Sequence, residues 1–328
     1  MLNYLKKVEL ILLLLLIFLS VFLSYTTDSF LTLQNLFDIL NNQAVSIIFA
    51  VGLVVVLMAG GIDISFSIVA SVVQYIVVTI MILIGGGNWF LGICLAIIIG
   101  VSLGFFNALL ICKFRIVSIV ATIGTFNLFF GLLMYFTKGH SIYNIPDWLY
   151  EPIPIIDVAS GNSNAILYLP IIVAVFLVLI TWFFLTRIGF GRIIIGFGSD
   201  LEAARRSGVN VFLVQFFVYG WLGLCAGIGG LMQSHIVREV VPNALYGREL
   251  DILSAVVLGG AVLGGGRGTV WGAVLGVMLL AVVQNGLNLL GITPFAFKLI
   301  VGLIFLVAIS AVNIHRFLPL KVVNTRED

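Results

Sequence analysis

Asp63 is the acidic residue whose position most directly suggests chemistry. It lies in the sequence Gly60-Gly61-Ile62-Asp63-Ile64-Ser65, between two strongly apolar runs. A carboxylate at the centre of a bilayer costs about 2.5–3.5 kcal/mol on insertion scales, so such residues usually have a function. Two interpretations stay open for Asp63 and Ser65. They contact a polar ligand directly, or they cap the following helix and form the hinge of a gate, which their place near the end of an apolar run favours.

A second glycine-rich break lies in the other half of the chain, between Leu258 and Thr269. Its glycines permit positive φ angles, sharp turns and close helix contacts. Matched interruptions in two halves of a membrane protein indicate a transport site, whereas the simpler interpretation is a turn between two spans. The candidate gate or hinge glycines of both breaks are Gly60, Gly61, Gly259, Gly260, Gly265, Gly266 and Gly268.

Uncharged polar residues within apolar runs form a third group. They are Gln74, Asn107, Asn127, Gln233, Gln284, Asn285 and Asn288. In lipid, such side chains face the interior of a helix bundle, where they bond to neighbouring helices or to a hydroxylated solute. Gln284 and Asn288 are four residues apart and share a helix face. Together with Asn285, Asn107 and Asn127, they are the predicted lining of a solute path.

The sequence lacks the residue patterns that metal binding, catalysis or nucleotide binding would need. The Cys and His residues show no metal-ligand spacing, so no metal site is predicted and the cysteines are interpreted as small buried hydrophobic residues. No Ser-His-Asp or paired-carboxylate arrangement suggests catalysis, and no Walker sequence suggests nucleotide binding. We therefore expect no enzymatic activity and no cofactor bound by this chain. The net charge of +2 does not indicate a nucleic-acid partner.

Composition determines which elements position these residues. The 328 residues are 62% hydrophobic and 9% charged, whereas soluble domains carry about 25% charged residues. Long continuous apolar runs predict an all-α polytopic membrane protein, because each backbone polar group in lipid must be paired internally. About ten spans are expected, near residues 8–25, 43–59, 66–85, 89–112, 117–137, 165–186, 211–233, 250–264, 269–291 and 295–313.

The distribution of basic residues predicts the orientation. With ten spans and both termini cytoplasmic, most Lys and Arg residues lie at inner ends, and acidic residues, including Asp38, Glu249 and Asp251, lie outside. One domain, 1–328, is expected, with an outer loop at 138–164 and a cytoplasmic loop at 186–210. In the cytoplasmic loop, Ser199 is the predicted N-cap of a short helix with Glu202 at its third position, and Gly208 ends it.

Several motifs together resemble the permease subunits of bacterial ABC importers for ribose, xylose, arabinose, galactose and autoinducer-2. Gly60-Gly61-Ile62-Asp63-Ile64-Ser65 is similar to one family signature, and Leu258-Gly259-Gly260 with Gly265-Gly266-Arg267-Gly268-Thr269 is similar to a second. Further similar segments are Glu202-Ala203-Ala204-Arg205, Pro242-Asn243 before Glu249-Leu250-Asp251, and Gly286-Leu287-Asn288-Leu289-Leu290-Gly291. They occur in order along nearly the whole chain. Phe66-Ser67-Ile68 and Val262 depart from the family pattern, which leaves the identity of the sugar open.

The resemblance implies a multi-pass protein of the bacterial inner membrane that carries a sugar or sugar-like solute into the cell. It also implies a second permease copy or paralogue, an extracytoplasmic sugar-binding protein, and a cytoplasmic ATPase subunit that hydrolyses ATP. The predicted ATPase-coupling residues are Asp200, Glu202, Ala203, Arg205, Arg206 and Gly208. The alternatives are an ion-coupled secondary carrier for a polar solute, a lipid-modifying enzyme and a receptor-like membrane protein.

Overall fold

The computed structural model describes residues 2–160, 163–293, 295–303 and 306. Its elements follow in chain order as α1 (Leu2–Thr26), α2 (Leu33–Met58), α3 (Phe66–Leu83), α4 (Trp89–Phe114), α5 (Ser118–Thr137), α6 (Asp147–Tyr150), β1 (Pro154–Ser160), β2 (Ser163–Tyr168), α7 (Leu169–Arg187), α8 (Gly189–Ser199), α9 (Leu201–Arg206), α10 (Val211–Val237), α11 (Arg248–Leu258) and α12 (Val270–Leu289).

Within the described residues, eight helices are long and apolar enough to cross a membrane: α1 to α5, α7, α10 and α12. The structure therefore confirms a polytopic helical protein. The span predicted at 250–264 corresponds to α11, whose 11 residues extend about 16 Å at 1.5 Å per residue. This is about half of a hydrocarbon core of about 30 Å. The span predicted at 295–313 lies largely outside the described residues.

Helix α2 is the central element of the bundle and is buried along most of its length after residue 44. It packs against α7, α10, α11 and α12. It begins at Leu33, ten residues earlier than predicted, because its polar first turns find partners within the protein. Asn35 and Asn285 exchange hydrogen bonds of 3.1 and 2.7 Å between their side-chain amides, which join α2 to α12.

Helices α4 and α10 form the closest helix pair, and glycines make this approach possible. A methyl group at Gly100 would lie 2.2 Å from the carbonyl oxygen of Gly223, and one at Gly104 would lie 2.2 Å from that of Tyr219. Gly100 and Gly104 are spaced by four, as are Gly223 and Gly227, which is the small-xxx-small pattern of closely packed membrane helices. A side chain at these positions would force the two backbones apart.

The predicted outer loop 138–164 contains a short helix and one strand of a hairpin, neither of which the sequence analysis predicted. Strands β1 and β2 are antiparallel, and Asn41 of α2 hydrogen-bonds to the backbone of β2 at Ile166 and Tyr168. Helix α6 is held against the bundle by Trp148, whose indole N–H donates to the carbonyl oxygen of Gly86. We call this end of the bundle the hairpin end.

The opposite end carries α8 and α9, and we call it the α9 end. The structure corrects the predicted cap here: Ser199 is the last residue of α8, and its hydroxyl donates back to Ile195. Asp200 is the N-cap of α9, and its carboxylate accepts from the amide of Ala203 at 2.9 Å. Helix α8 was not predicted because its four glycines, Gly189, Gly191, Gly196 and Gly198, are typical of a loop. Gly208, at φ 82°, follows α9 as expected.

Candidate functional site

The break between α2 and α3, residues 59–65, holds a buried polar cluster. Asp63 is 3% exposed, Ser65 is fully buried, and Asn107 of α4 is 1% exposed. One carboxylate oxygen of Asp63 accepts from both the amide and the hydroxyl of Ser65 at 2.7 Å, and the other accepts from the Asn107 amide at 3.2 Å. Asn107 also donates to the Ser65 hydroxyl at 2.8 Å.

This cluster differs from a helix cap. Ser65 occupies the N-cap position of α3, but its side chain accepts no bond from the first turn of that helix. Its hydroxyl instead donates to Asp63, so the carboxylate braces the break itself and joins it to α4. Because a buried polar group without a partner costs about 1–3 kcal/mol, these bonds hold Asp63 in place. Asp63 and Ser65, which were predicted together, therefore form one unit with Asn107, which was predicted separately.

Helix α5 holds the same break from another side. The amide of Ile62 donates to the hydroxyl of Ser118 at 3.0 Å, and the Thr122 hydroxyl donates to the Ile62 carbonyl at 3.2 Å. Both partners lie in the first turns of α5. Both backbone polar groups of Ile62 are thus paired with a neighbouring helix, as irregular backbone inside a membrane protein requires.

Glu249 forms a second buried polar contact, which the sequence analysis missed. It was grouped with the acidic residues of the outer loops, yet it is 7% exposed at the start of α11. The hydroxyl of Ser67, in the first turn of α3, donates to its carboxylate at 2.8 Å, and the amide of Gly247 donates to the same oxygen at 3.0 Å. A buried carboxylate beside a half-length helix is therefore joined to the helix that follows the break.

The two glycine breaks meet at the α9 end, together with the end of α8. The amide of Gly266 donates to the carbonyl oxygen of Met58 at 2.9 Å. A methyl group at Gly198 would lie 1.9 Å from that same oxygen, and one at Gly265 would lie 2.6 Å from the Cα of Gly60. We call this contact of Gly60, Gly198, Gly265 and Gly266 the glycine junction. The sequence analysis paired the two breaks but did not predict that Gly198 joins them.

A cavity of about 520 Å³ opens among α2, α11 and α12 toward the hairpin end. Two helices supply neutral polar side chains to it at the same spacing of i, i+1 and i+4. Those from α2 are Asn42, Gln43 and Ser46, and those from α12 are Gln284, Asn285 and Asn288. We call this space the solute cavity, and it contains all three residues predicted on α12. Gln43 and Ser46 lie inside the span predicted at 43–59 but were not among the predicted lining residues, and Asn42 lies just before that span.

Aromatic and charged residues complete the lining of the solute cavity. Tyr246 and Phe297 line it alongside Arg248, Asp251 and Lys298. Lys298 and Asp251 form an ion pair at 2.5 Å, so their charges largely offset each other. A wall of amides, a hydroxyl and aromatic rings suits a hydroxylated solute, because it offers both donors and acceptors together with apolar faces.

Other predicted positions lie elsewhere. Asn127 is exposed on α5, and its amide donates to the Ile123 carbonyl of its own helix; it lines neither the solute cavity nor the Asp63 cluster. Gln74 accepts from the Ser234 hydroxyl of α10 at 3.1 Å, a bond that joins two helices. Gly259 packs on Gly272 of α12, where a methyl group would lie 2.2 Å from a carbonyl oxygen.

The predicted coupling residues form a compact exposed helix at the α9 end. Glu202 lies in its first turn and Arg205 and Arg206 in its last, which is the arrangement that the helix dipole favours. The amide of Gly208 donates to the Arg205 carbonyl and closes the helix. Asp200, Ala203 and their capping bond fix its start.

Comparisons with known proteins extend over most of the chain. The profile of the family described as branched-chain amino acid transport system / permease component matches residues 35–309. The ribose import permease protein RbsC of Bacillus subtilis (strain 168) is 31% identical over 293 residues, which cover 89% of this chain and 88% of that protein. RbsC of Escherichia coli (strain K12) is 28% identical over 302 residues, covering 88% and 89%.

A relative named for a different sugar has a similar sequence identity to this chain. The galactofuranose transporter permease protein YtfT of Escherichia coli (strain K12) is 28% identical over 295 residues, covering 88% of this chain and 83% of that protein. No solved structure matches the chain significantly.

Proposed function

The chain belongs to the branched-chain amino acid transport system / permease component family, and from this premise we propose that it is the membrane permease of an ATP-driven sugar importer. It carries a sugar or sugar-like solute into the cytoplasm. The relatives above are permeases named for ribose and galactofuranose, which supports a sugar rather than an amino acid. We propose no catalytic activity and no bound cofactor for the chain itself, because a separate subunit hydrolyses the ATP.

The solute cavity is the observation that carries the proposal of a sugar. Asn42, Gln43 and Ser46 face Gln284 and Asn288 across a space of about 520 Å³. Of these, the side chains of Gln284 and Asn288 form no hydrogen bond within the described part of the chain and are exposed, so their amides are available to hydroxyl groups. An aliphatic solute that displaced water from these amides would leave them unpaired, at a cost of about 1–3 kcal/mol for each amide buried in the complex.

The proposed assembly follows from family membership. A second permease copy or paralogue, a cytoplasmic ABC ATPase and an extracytoplasmic sugar-binding protein complete the importer. Helix α9, with Glu202, Arg205 and Arg206, contacts the ATPase, and the segment 138–164 at the hairpin end faces the binding protein. The surrounding lipid is that of a bacterial inner membrane.

The proposed topology assigns both termini and the α9 end to the cytoplasm. It has ten spans in one domain, 1–328, of which α11 is a half-length span and the last lies near 295–313. The accumulation of Lys and Arg residues at the α9 end supports this orientation. Lys113, Arg115, Arg187 and Arg192 lie at or beside helix ends there.

The glycine junction supplies a mechanism for coupling. Gly198 lies three residues before the start of α9 at Leu201 and contacts both the Met58 carbonyl and Gly266. Movement of α9 on ATP binding would therefore displace both glycine breaks at once. One break leads through Asp63 into α3, and the other lies at the end of α11, so the same movement reaches the wall of the solute cavity.

Uptake of a labelled sugar by cells that carry the whole importer tests this proposal. Uptake should stop when ATP is depleted by arsenate and should persist when a protonophore collapses the ion gradients while ATP is maintained. Uptake that survives ATP depletion but stops with the protonophore would contradict the proposal and would indicate an ion-coupled secondary carrier.

A further inference from the structure

A second cavity, of about 800 Å³, lies at the α9 end and is separate from the solute cavity. Its walls include the ends of α2, α4 and α8, the starts of α5 and α10, and the face of α9 that carries Leu201 and Arg205. We call it the basic cavity. Its polar lining residues are Cys112, Arg115, Ser118, Arg205, Asn210, Gln215 and Tyr219.

Charge is the first notable property of the basic cavity. Arg115 and Arg205 line it, whereas no Asp or Glu side chain does so among the described residues. Neither arginine takes part in the ion pair that the described residues contain, which joins Lys298 to Asp251. Two exposed arginines from different parts of the chain therefore line one space with no acidic side chain among its described lining residues, and this positive charge favours an anion there.

Neutral donors lie close to this positive charge. The side-chain oxygen of Asn210 caps α10 by accepting from Leu213, and that of Gln215 accepts from the Cys112 thiol at 2.8 Å. The amide nitrogens of both residues therefore keep their protons for a ligand. At the deep end, the buried Tyr219 hydroxyl lies beside Ser118 and Gly61. The cavity thus combines a basic part with neutral groups that suit hydroxyls.

We propose that the basic cavity binds a phosphate-bearing ligand, with Arg115 and Arg205 on the phosphate and the neutral groups on the remainder. A guanidinium group can donate two parallel hydrogen bonds to two oxygens of one phosphate, and it remains charged at all physiological pH values. The cavity exceeds the size of a bare phosphate ion and falls within the range of small-molecule sites. Two sources supply this chemistry: a phosphorylated sugar in the cytoplasm and the headgroup of an anionic lipid.

Such a ligand would join α9 to the end of α4, since Arg205 belongs to α9 and Arg115 follows α4. Arg115 is the C-cap of α4 and has the left-handed backbone conformation, with φ at 54°, that commonly ends a helix. A bound phosphate would hold both segments in their present relation. The binding itself needs neither ATP nor a transported sugar, so its test does not depend on the proposed function.

The experiment measures binding to the purified full chain in nanodiscs, with glucose 6-phosphate, inorganic phosphate and glucose as probes. In discs of neutral phosphatidylcholine, glucose 6-phosphate should bind saturably and glucose should not. Arg115→Gln should weaken the binding about tenfold, which corresponds to about 1.4 kcal/mol. Lys113→Gln is the matched control, because Lys113 is exposed near the end of the same helix but does not line the cavity.

A second set of discs distinguishes the two sources of phosphate. If discs with phosphatidylglycerol retain this lipid through purification, and Arg115→Gln but not Lys113→Gln releases it, the ligand is a lipid headgroup. Saturable binding in phosphatidylcholine discs assigns the site to a soluble phosphate. The proposal is overturned if neither ligand binds, or if Lys113→Gln weakens binding as much as Arg115→Gln, because net surface charge would then explain the effect.

Discussion

At the scale of single residues, the carboxylate of Asp63 is held by hydrogen bonds from Ser65, two residues away, and from Asn107, on a different helix. Ser65 supplies two hydrogen bonds and Asn107 a third, while the other buried acid of this region, Glu249, is held by Ser67 and Gly247. Both carboxylates therefore fix the start of α3, one from the break and the other from α11. Because hydrogen bonds fix both carboxylates to the start of α3, a displacement of the break or of α11 would also displace α3.

Replacing Asn107 by Leu tests the cluster. The change removes the donor to Asp63 and to the Ser65 hydroxyl, so buried polar atoms lose their partner and stability should fall by about 1–3 kcal/mol. The thermal unfolding midpoint of the purified protein in detergent measures this. Asn127→Leu is the control, since its amide is exposed and bonds only within α5; a surface change of this kind costs about 0.5 kcal/mol or less. Equal losses in both variants would contradict the role of the cluster.

Gln284→Leu tests the solute cavity at the same scale. An exposed amide that bonds to the sugar is lost while the helix and its packing are kept, so the rate of ATP-dependent uptake should fall about tenfold at unchanged protein level. Initial uptake rates at low sugar concentration provide the measurement. Gln74→Leu alters a helix-joining bond outside the cavity and should affect stability more than uptake rate at matched protein levels. An unchanged uptake rate in Gln284→Leu would show that this side chain does not contact the transported sugar.

Sequence reasoning could predict residue types but not all partners. Asp63 and Ser65 are two residues apart, so their contact could be expected, and Gln284 and Asn288 share a helix face whatever the fold. The bond from Asn107 to Asp63 requires the packing of α4 against the break, which no spacing reveals. Glu249 was misplaced because an acidic residue after a polar segment resembles a solvated loop residue.

At the scale of elements, the glycine junction explains why both breaks need glycine. Met58 ends α2 with a carbonyl oxygen that accepts from the Gly266 amide, and Gly198 lies directly against it. Three backbone segments therefore meet where side chains have no room. Because α8 leads directly into α9, the element proposed to contact the ATPase is continuous with this meeting point.

Gly198→Ala tests the junction and Gly196→Ala is its control in the same helix. A methyl group at Gly198 would clash with the Met58 carbonyl at 1.9 Å, whereas one at Gly196 meets nothing within 4 Å. Gly198→Ala should therefore lower the unfolding midpoint and reduce uptake. Gly196→Ala should keep both, with a gain of up to about 1 kcal/mol from helix propensity. If the two variants had the same unfolding midpoint and the same uptake rate, the close contact at Gly198 would be shown to matter for neither stability nor transport.

The sequence predicts the long apolar helices well because a long continuous apolar run indicates a membrane-spanning helix whatever its packing partners are. It predicts the start of α2 poorly, since Asn35 and Asn41 resemble loop residues until their partners in α12 and β2 are known. The cap of α9 was displaced by one residue because Ser199 and Asp200 are both good N-cap residues. The hairpin was missed because its two strands are short, and so few residues show no clear alternation of apolar and polar side chains.

At the scale of the whole molecule, the two cavities lie toward opposite ends of one bundle. The solute cavity contains neutral amides toward the hairpin end, and the basic cavity contains arginines at the α9 end. Helix α2 lines both, through Asn42 near its start and Val56 near its end. An importer must expose its path to the two sides of the membrane in turn, and a central helix between two breaks is suited to that change.

Affinity purification of the tagged protein in mild detergent, from cells that contain its genetic neighbours, tests the central claim most directly. We predict that an ATPase with a P-loop copurifies in stoichiometric amount. It should be lost from the double variant Arg205→Glu and Arg206→Glu, which reverses the charge of the last turn of α9 without altering the Asp200 cap. A preparation that contains no ATPase, repeated in gently solubilised membranes, would contradict the claim that this permease is driven by ATP.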